Sequence, residues 1–154
     1  NFDINLPLTG VVGVECRSGG ATNDYKVIVT FAAPVTFINA AVNNGTGSVA
    51  TSSGSGTTTV TIDLTGVTNA QWITIALFGV DDTVNNGDVG VNMGMLLGDT
   101  TGNGTVNASD VTQTKARVGQ SVDATNFRSD VTVSNSINAS DVNLVKSRVG
   151  TVLP

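Results

Sequence analysis

Over the first 97 residues, apolar and polar positions alternate in short runs. Tyr25, Val27, Val29 and Phe31 alternate with Lys26, Ile28 and Thr30; Val60, Ile62 and Leu64 with Thr59, Thr61 and Asp63; Ile73, Ile75 and Leu77 with Trp72, Thr74 and Ala76. Period-two alternation of this kind predicts half-buried strands. Further strands are expected at 10–16, 35–42, 46–51 and 88–95, separated by turn-forming stretches such as Asn43-Asn44-Gly45 and residues 52–56. Seven or so short strands in under 100 residues fit an immunoglobulin-like sandwich better than a barrel. Past residue 98 the period changes. Val111, Thr114 and Val118, and again Val142, Val145 and Val149, recur at helical spacing, each set ending at a glycine, Gly119 or Gly150. Two short helices follow from this, with Ser109 and Ser140 at the N-cap or in the first turn. Asp110 and Asp141 lie at the positive ends, and Lys115, Arg117, Lys146 and Arg148 near the negative ends. Helices this short need partners to persist in water. The expected organisation is therefore a β-sandwich over 1–97 and a small helical module over 98–154. They join at Leu96-Leu97-Gly98, a connection short enough to imply packing between them.

The helical half is an internal repeat. Asp99-Thr-Thr-Gly-Asn-Gly-Thr-Val-Asn-Ala-Ser-Asp110 and Asp130-Val-Thr-Val-Ser-Asn-Ser-Ile-Asn-Ala-Ser-Asp141 are two acid-bounded loops of twelve residues, and the same offset superimposes Lys115 on Lys146 and Arg117 on Arg148. Oxygen-bearing residues fall at positions 1, 3, 5, 9 and 12: Asp99, Thr101, Asn103, Asn107 and Asp110, then Asp130, Thr132, Ser134, Asn138 and Asp141. A hard cation takes about six to eight oxygens, and this spacing offers them from side chains, a position-7 carbonyl and water. Solvated turns use the same residue types, but two copies at one offset, each ending in Lys-x-Arg-Val-Gly, point to calcium.

Residues 98–152 resemble the dockerin type I repeat. That family pairs two calcium loops, each followed by a helix but lacking the entering helix of an EF-hand, and docks on a cohesin domain in cellulosomes or other extracellular assemblies. The resemblance implies two calcium ions, polysaccharide degradation as one setting, and an Ig-like or X-module-like sandwich ahead of the dockerin-like module. Carried over position by position, Asp99, Thr101, Asn103, Thr105, Asn107 and Asp110 would form one site. Asp130, Thr132, Ser134, Ser136, Asn138 and Asp141 would form the other, with Thr105 and Ser136 acting through backbone carbonyls. Many loops of the family carry Asp or Asn at positions 3 and 5, whereas here position 3 is Thr in both copies. Two carboxylates per loop imply modest affinity. Position 6, where the loop turns sharply, is Gly104 in the first copy and Asn135 in the second, so the second site is expected to be the weaker. Ala108, Ser109, Lys115 and Arg117 are repeated as Ala139, Ser140, Lys146 and Arg148; these eight are the expected partner-binding residues, offered twice about a pseudo-two-fold axis.

Composition narrows the function further. There is no His, one Cys, 18 Gly and a formal net charge of −5. The charge lies wholly in residues 1–97, with seven acidic against two basic side chains, while residues 98–154 balance five against five. Nucleic-acid binding is disfavoured, since no basic run exists. The usual general base is missing, and no enzyme is expected. Cys16 cannot form an internal disulfide and reads as a buried thiol. The chain has no initiator Met and no charged-then-apolar leader, and is expected to be part of a larger secreted or surface protein. Asp81 to Asp88 reads as a solvated turn, with a third calcium site as the alternative. Trp72 and Phe78, on the face opposite Ile73, Ile75 and Leu77, raise carbohydrate binding as a second function, against packing at the module interface. The leading expectation is calcium-dependent attachment to a cohesin-like domain. The runner-up is a calcium-stabilised structural cap, and the deciding observation is whether the helical face is free or covered by residues 1–97.

Overall fold

The computed structural model describes residues 2–154. Seven strands come first: β1 (Val14–Glu15), β2 (Tyr25–Val35), β3 (Asn39–Asn44), β4 (Ser48–Ser53), β5 (Thr57–Thr65), β6 (Gln71–Asp81) and β7 (Asn86–Met95). They form two sheets, ordered β1-β7-β6-β3 and β2-β5-β4. Setting β2, β5 and β4 against β3, β6 and β7 is the division an immunoglobulin-like sandwich makes between its two layers. The alternating apolar positions face inward: Val27 and Val29, Val60, Ile62 and Leu64, and Ile73, Ile75 and Leu77 form one core with Val91, Met93 and Met95. Complete burial of a Val, Leu or Ile side chain stabilises the fold by roughly 1.5–3 kcal/mol, so this cluster is the main source of sandwich stability.

Two strands differ from the sequence expectation. The run 10–16 shrinks to Val14–Glu15, because only there does the chain lie against β7, pairing in parallel with Gly94 and Met95. The run 35–42 is divided. Val35 closes β2 after a register shift, Thr36 pairs as an isolated bridge with Asp81, and β3 begins only at Asn39.

Helices α1 (Ala108–Arg117) and α2 (Ala139–Arg148) follow, with a 3-10 turn at Phe127–Ser129 between them. Thr114, Val142 and Val145 are buried, whereas Val118 and Val149 remain 48% and 51% exposed. The helical stripe therefore ends a turn earlier than its spacing implies. At both C-caps the backbone leaves the helix (ψ 131 in each), swinging Val118 and Val149 off the buried face. A second core combines Val106, Val131, Val145 and Leu153 with Val14 of β1 and Leu96 of the connection. Sandwich and helical half thus share apolar contacts rather than meeting only through a tether. Each loop is also held by the segment that follows the other helix. Gly150 donates to Val106 and Leu153 to Gly104 in the first loop, while Gly119 donates to Ile137 in the second.

Candidate metal centre

Both acid-bounded loops wrap their carboxylates inward. Asp99, Asp110 and Asp141 are fully buried and Asp130 nearly so, at 4% exposed. In the first loop Asp99 Oδ1 accepts from the N–H groups of Gly102 (2.8 Å) and Asn103 (3.1 Å), and Oδ2 from Gly104 (2.8 Å). Asp110 Oδ2 accepts from the Asn107 N–H at 2.8 Å, while Oδ1 accepts from the Thr101 N–H at 2.9 Å. The Thr101 hydroxyl stands between the carboxylates, 3.3 Å from Asp99 Oδ1 and 2.9 Å from Asp110 Oδ1. One hydroxyl proton cannot serve both oxygens, so an electron-rich edge is left where positions 1, 3 and 12 converge.

The second loop repeats the scheme. Asp130 accepts from Ser134 and Asn135 N–H groups, and Asp141 from those of Thr132 and Asn138. Thr132 Oγ1 lies 2.7 Å from Asp141 Oδ1, Ser134 Oγ lies 3.4 Å from Asp130 Oδ1, and Ser134 Oγ lies 3.0 Å from the Ser136 carbonyl. Separations of about 2.7–3.4 Å are hydrogen-bond distances and also those between neighbouring oxygens on one cation with bonds of roughly 2.3–2.6 Å, so the oxygens paired here suit calcium in chemistry and in spacing. Among the described residues no three His, Cys, Asp or Glu side chains cluster. Each loop offers instead one pair of Asp carboxylates with neutral oxygens beside them. Ion pairs among the described residues join only Arg17 to Glu15 and Lys26 to Asp63, so none of the four buried loop carboxylates has a cationic side chain as partner. Burying paired carboxylates without a counter-charge is costly, and a bound cation removes that cost.

The remaining loop residues have two demands on them. Asn103 Oδ1 accepts from the Thr105 N–H in a turn. Asn107 and Asn138 are the N-caps of α1 and α2, their side chains accepting from Ser109 and Ser140, while Asp110 and Asp141 close capping boxes at the third helical position. Ser109 and Ser140 accordingly lie in the first turn. The Asn-x-x-Asp spacing is a capping-box variant, and it was the signal for this second duty. Thr105 is paired through its backbone with Val152, across the first loop.

Loop geometry separates the two copies. Position 6 has φ +81 at Gly104 and +63 at Asn135, as its turn requires; position 4 is also left-handed, φ +76 at Gly102 and +56 at Val133. A β-branched residue is poorly suited to that region. The sequence reading weighed position 6 and missed position 4. It also missed Arg128. That guanidinium donates from Nε to Thr100 O (3.0 Å), from Nη1 to Val14 O (3.0 Å) and from Nη2 to Asp99 O (2.8 Å). No repeat pointed to it, because the equivalent position in the first copy is Leu97.

On the helices, Ala108, Ser109, Lys115, Ala139, Ser140 and Lys146 are exposed. Arg117 and Arg148 are half-buried instead. Arg117 Nη1 reaches Ser129 Oγ at 3.4 Å, and Arg148 lies beside Gly98 with its Nε buried and unpaired. Among the described residues, none of 2–97 covers this outward face of the helix pair. Trp72 stands at the junction of the two halves, donating from its indole N–H to Pro154 O at 2.9 Å, with Gly94 against its ring. The Asp81 to Asp88 stretch spans the β6–β7 turn, where Asp82 accepts from the backbone and side-chain N–H groups of Asn85 and from the Val84 N–H; these bonds hold its carboxyl below the usual range. Cys16 is fully buried, and burial pushes its thiol up to about 12. Among the described residues no helix is long and apolar enough to cross a membrane.

Residues 97–150 match the family model of the dockerin type I domain. No curated protein and no solved structure gives a match to the chain. A dockerin type I domain is a calcium-dependent, cohesin-binding module without catalytic activity, of a kind that occurs in secreted, cellulosome-type proteins.

Proposed function

We propose that the chain is a non-catalytic attachment unit of a larger extracellular protein, in which a two-calcium dockerin module over 98–154 docks on a cohesin-like domain and the sandwich over 1–97 serves as its rigid base. The observation that carries the calcium assignment is the set of four buried carboxylates without cationic partners. Asp99, Thr101, Asn103, Asp110 and the Thr105 carbonyl hold one ion, with Asn107 at position 9; Asp130, Thr132, Ser134, Asp141 and the Ser136 carbonyl hold the second, with Asn138. Bound calcium supplies the counter-charge that lets each loop close and present the helix it caps.

The uncovered helix pair favours docking over the cap reading. Ala108, Ser109 and Lys115 on one helix and Ala139, Ser140 and Lys146 on the other form the partner face. Arg117 and Arg148 contribute through their alkyl stems at its edge, since both are half-buried. Isothermal titration of the full chain with calcium, followed by a candidate cohesin in calcium and in chelator, tests the reading. Two bound ions and cohesin binding only in calcium support it; calcium-independent binding, or none, refutes it. Extracellular polysaccharide breakdown is the setting that suits such a unit, with catalysis supplied by other parts of the assembly.

A further inference from the structure

Residues 14–18 run between the entrances of the two loops and hydrogen-bond to both. Cys16 O accepts from Gly98 N–H at 2.9 Å, immediately before the first loop, and Ser18 N–H donates to Val131 O at 2.8 Å, inside the second. Arg128 ties the same segment to the first loop. Of its three acceptors, Val14 O belongs to β1, whereas Asp99 O and Thr100 O are the carbonyls of loop positions 1 and 2. The Arg128 carbonyl in turn accepts from the Cys16 thiol at 3.5 Å. Three guanidinium nitrogens on three carbonyls from two structural units need a planar fork, which lysine cannot reproduce. The second loop meets the same segment differently, through the Ser18–Val131 backbone hydrogen bond, the packing of Val131 with Val14, and Arg17 over the Phe127 ring at its entrance.

We propose that docking of the sandwich and calcium capture by the first loop form one coupled equilibrium, transmitted by Arg128 as a positioning residue. The inference rests on the calcium reading above and concerns how that site is regulated. When the cation leaves, Asp99 and Asp110 repel each other across Thr101, position 1 swings out, and Arg128 loses two of its three acceptors together. The Val14–Ser18 segment then loses its Arg128 tie to the first loop while keeping its pairing with β7, and Cys16 becomes more accessible. Linkage makes the coupling reciprocal: a base that holds Asp99 O and Thr100 O in place raises calcium affinity by the factor by which calcium favours docking. The first loop is thereby the regulated one, and Asp99→Ala loosens the junction more than Asp130→Ala does.

The chain carries one Cys and one Trp, and both lie at this junction, so the test needs no introduced label. Cys16 labelling with a neutral-pH disulfide reagent, Trp72 emission and β-sheet circular dichroism are followed on the full chain in saturating calcium and in excess chelator. Calorimetry with calcium runs in parallel. Chelation is expected to speed labelling about tenfold or more, within the usual range of site-to-site coupling, while the sheet signal is retained. Arg128→Lys is expected to label about tenfold faster than wild type in limiting calcium and to bind the first ion about tenfold more weakly, as reciprocity requires. If calorimetry shows bound calcium but labelling is the same with and without it, the coupling is overturned and the calcium reading stands. If no calcium binds, both fall. Labelling that rises only with complete loss of sheet signal is global unfolding and also overturns the proposal. The wild-type chelation result decides whether docking and calcium capture are coupled; the part played by Arg128 is decided by Arg128→Lys, or by Arg128→Gln if that variant fails to fold, and wild-type labelling and calcium affinity in the folded variant overturn it.

Discussion

Val133 and Gly102 occupy the same position in the two loops, both in left-handed backbone, at φ +56 and +76. Val133 is 52% exposed, so its side chain offers only part of the burial that would offset the conformation. A left-handed β-branched residue costs about 2 kcal/mol, within the roughly 1–3 kcal/mol range for such strain. Replacing it with Asn, which tolerates this region, relieves that cost and forfeits at most about 1 kcal/mol of half-buried apolar surface. The net gain is about 1 kcal/mol in the closed loop. Because closing and binding are coupled, it appears as an affinity about fivefold higher at the second site. The reverse change, Gly102→Val, adds about 2 kcal/mol of strain, offset by about 0.5–1 kcal/mol from the stiffer unfolded chain, so first-site affinity should fall about tenfold. It also brings a Cβ to 3.3 Å from Arg128 Nη2. Stepwise calcium calorimetry reads both, with terbium luminescence as an independent measure. Weaker binding in Val133→Asn together with an unchanged Gly102→Val would show that position 4 does not control these loops.

Four further outcomes are expected. Chelator should disorder residues 98–152, so thermal melts and helical circular dichroism that match in chelator and millimolar calcium would remove the metal assignment. Asp99→Ala and Asp110→Ala should cost more calcium affinity than Asp130→Ala and Asp141→Ala, since the first loop has glycine at both left-handed positions; equal losses in titration would contradict that ranking. Lys115→Ala or Lys146→Ala alone should weaken binding to a candidate cohesin by about twofold, because the repeated helix offers a second orientation, whereas the double variant should lose far more; a large loss from one single variant means a single orientation. Between pH 9 and 12, Cys16 ionises in the unfolded chain but not in the fold, so stability should decline by about 1.4 kcal/mol per pH unit from this group. Urea melts at pH 8, 9 and 10 check it, and Cys16→Ala should flatten the decline between 9 and 10.

Legibility in the sequence followed the range of the interaction. Val27 and Val29, Ile62 and Leu64, and Ile73 and Ile75 face the core because alternation is set by the strand's own pleat, and their inward placement could be read directly. The two helices were legible from spacing and terminal glycines, with their N-caps at Asn107 and Asn138 and Ser109 and Ser140 in the first turn. Strand ends were not. Whether 10–16 pairs throughout or only at Val14–Glu15 depends on how far β7 runs alongside it, which no local pattern encodes. The repeat positions of the loop oxygens are legible in the sequence, and the Asn-x-x-Asp spacing carries the second duty of Asn107 and Asn138 as helix caps once loop and helix are taken as one turn. Arg128 was hidden for a deeper reason. Its three acceptors are backbone carbonyls, one of them 114 residues away from Arg128 in sequence, and carbonyls leave no trace in side-chain type.

The repeat is symmetrical on its outside and asymmetrical within, and the difference has a physical origin. Ala108, Ser109 and Lys115 on one helix and Ala139, Ser140 and Lys146 on the other are exposed alike. The inner positions face different surroundings. Ser129, preceding the second loop, gives Arg117 a hydroxyl; the equivalent Gly98 gives Arg148 none, and its left-handed φ of +96 disfavours any residue with a Cβ. Gly98 is held there by the short connection from β7, whose N–H is already committed to Cys16 O. Attachment to the sandwich thus breaks the equivalence at the loop entrances while leaving the helix faces matched. Under the proposed function, a module built this way would present one surface in two orientations and respond to calcium mainly through the loop that holds its base.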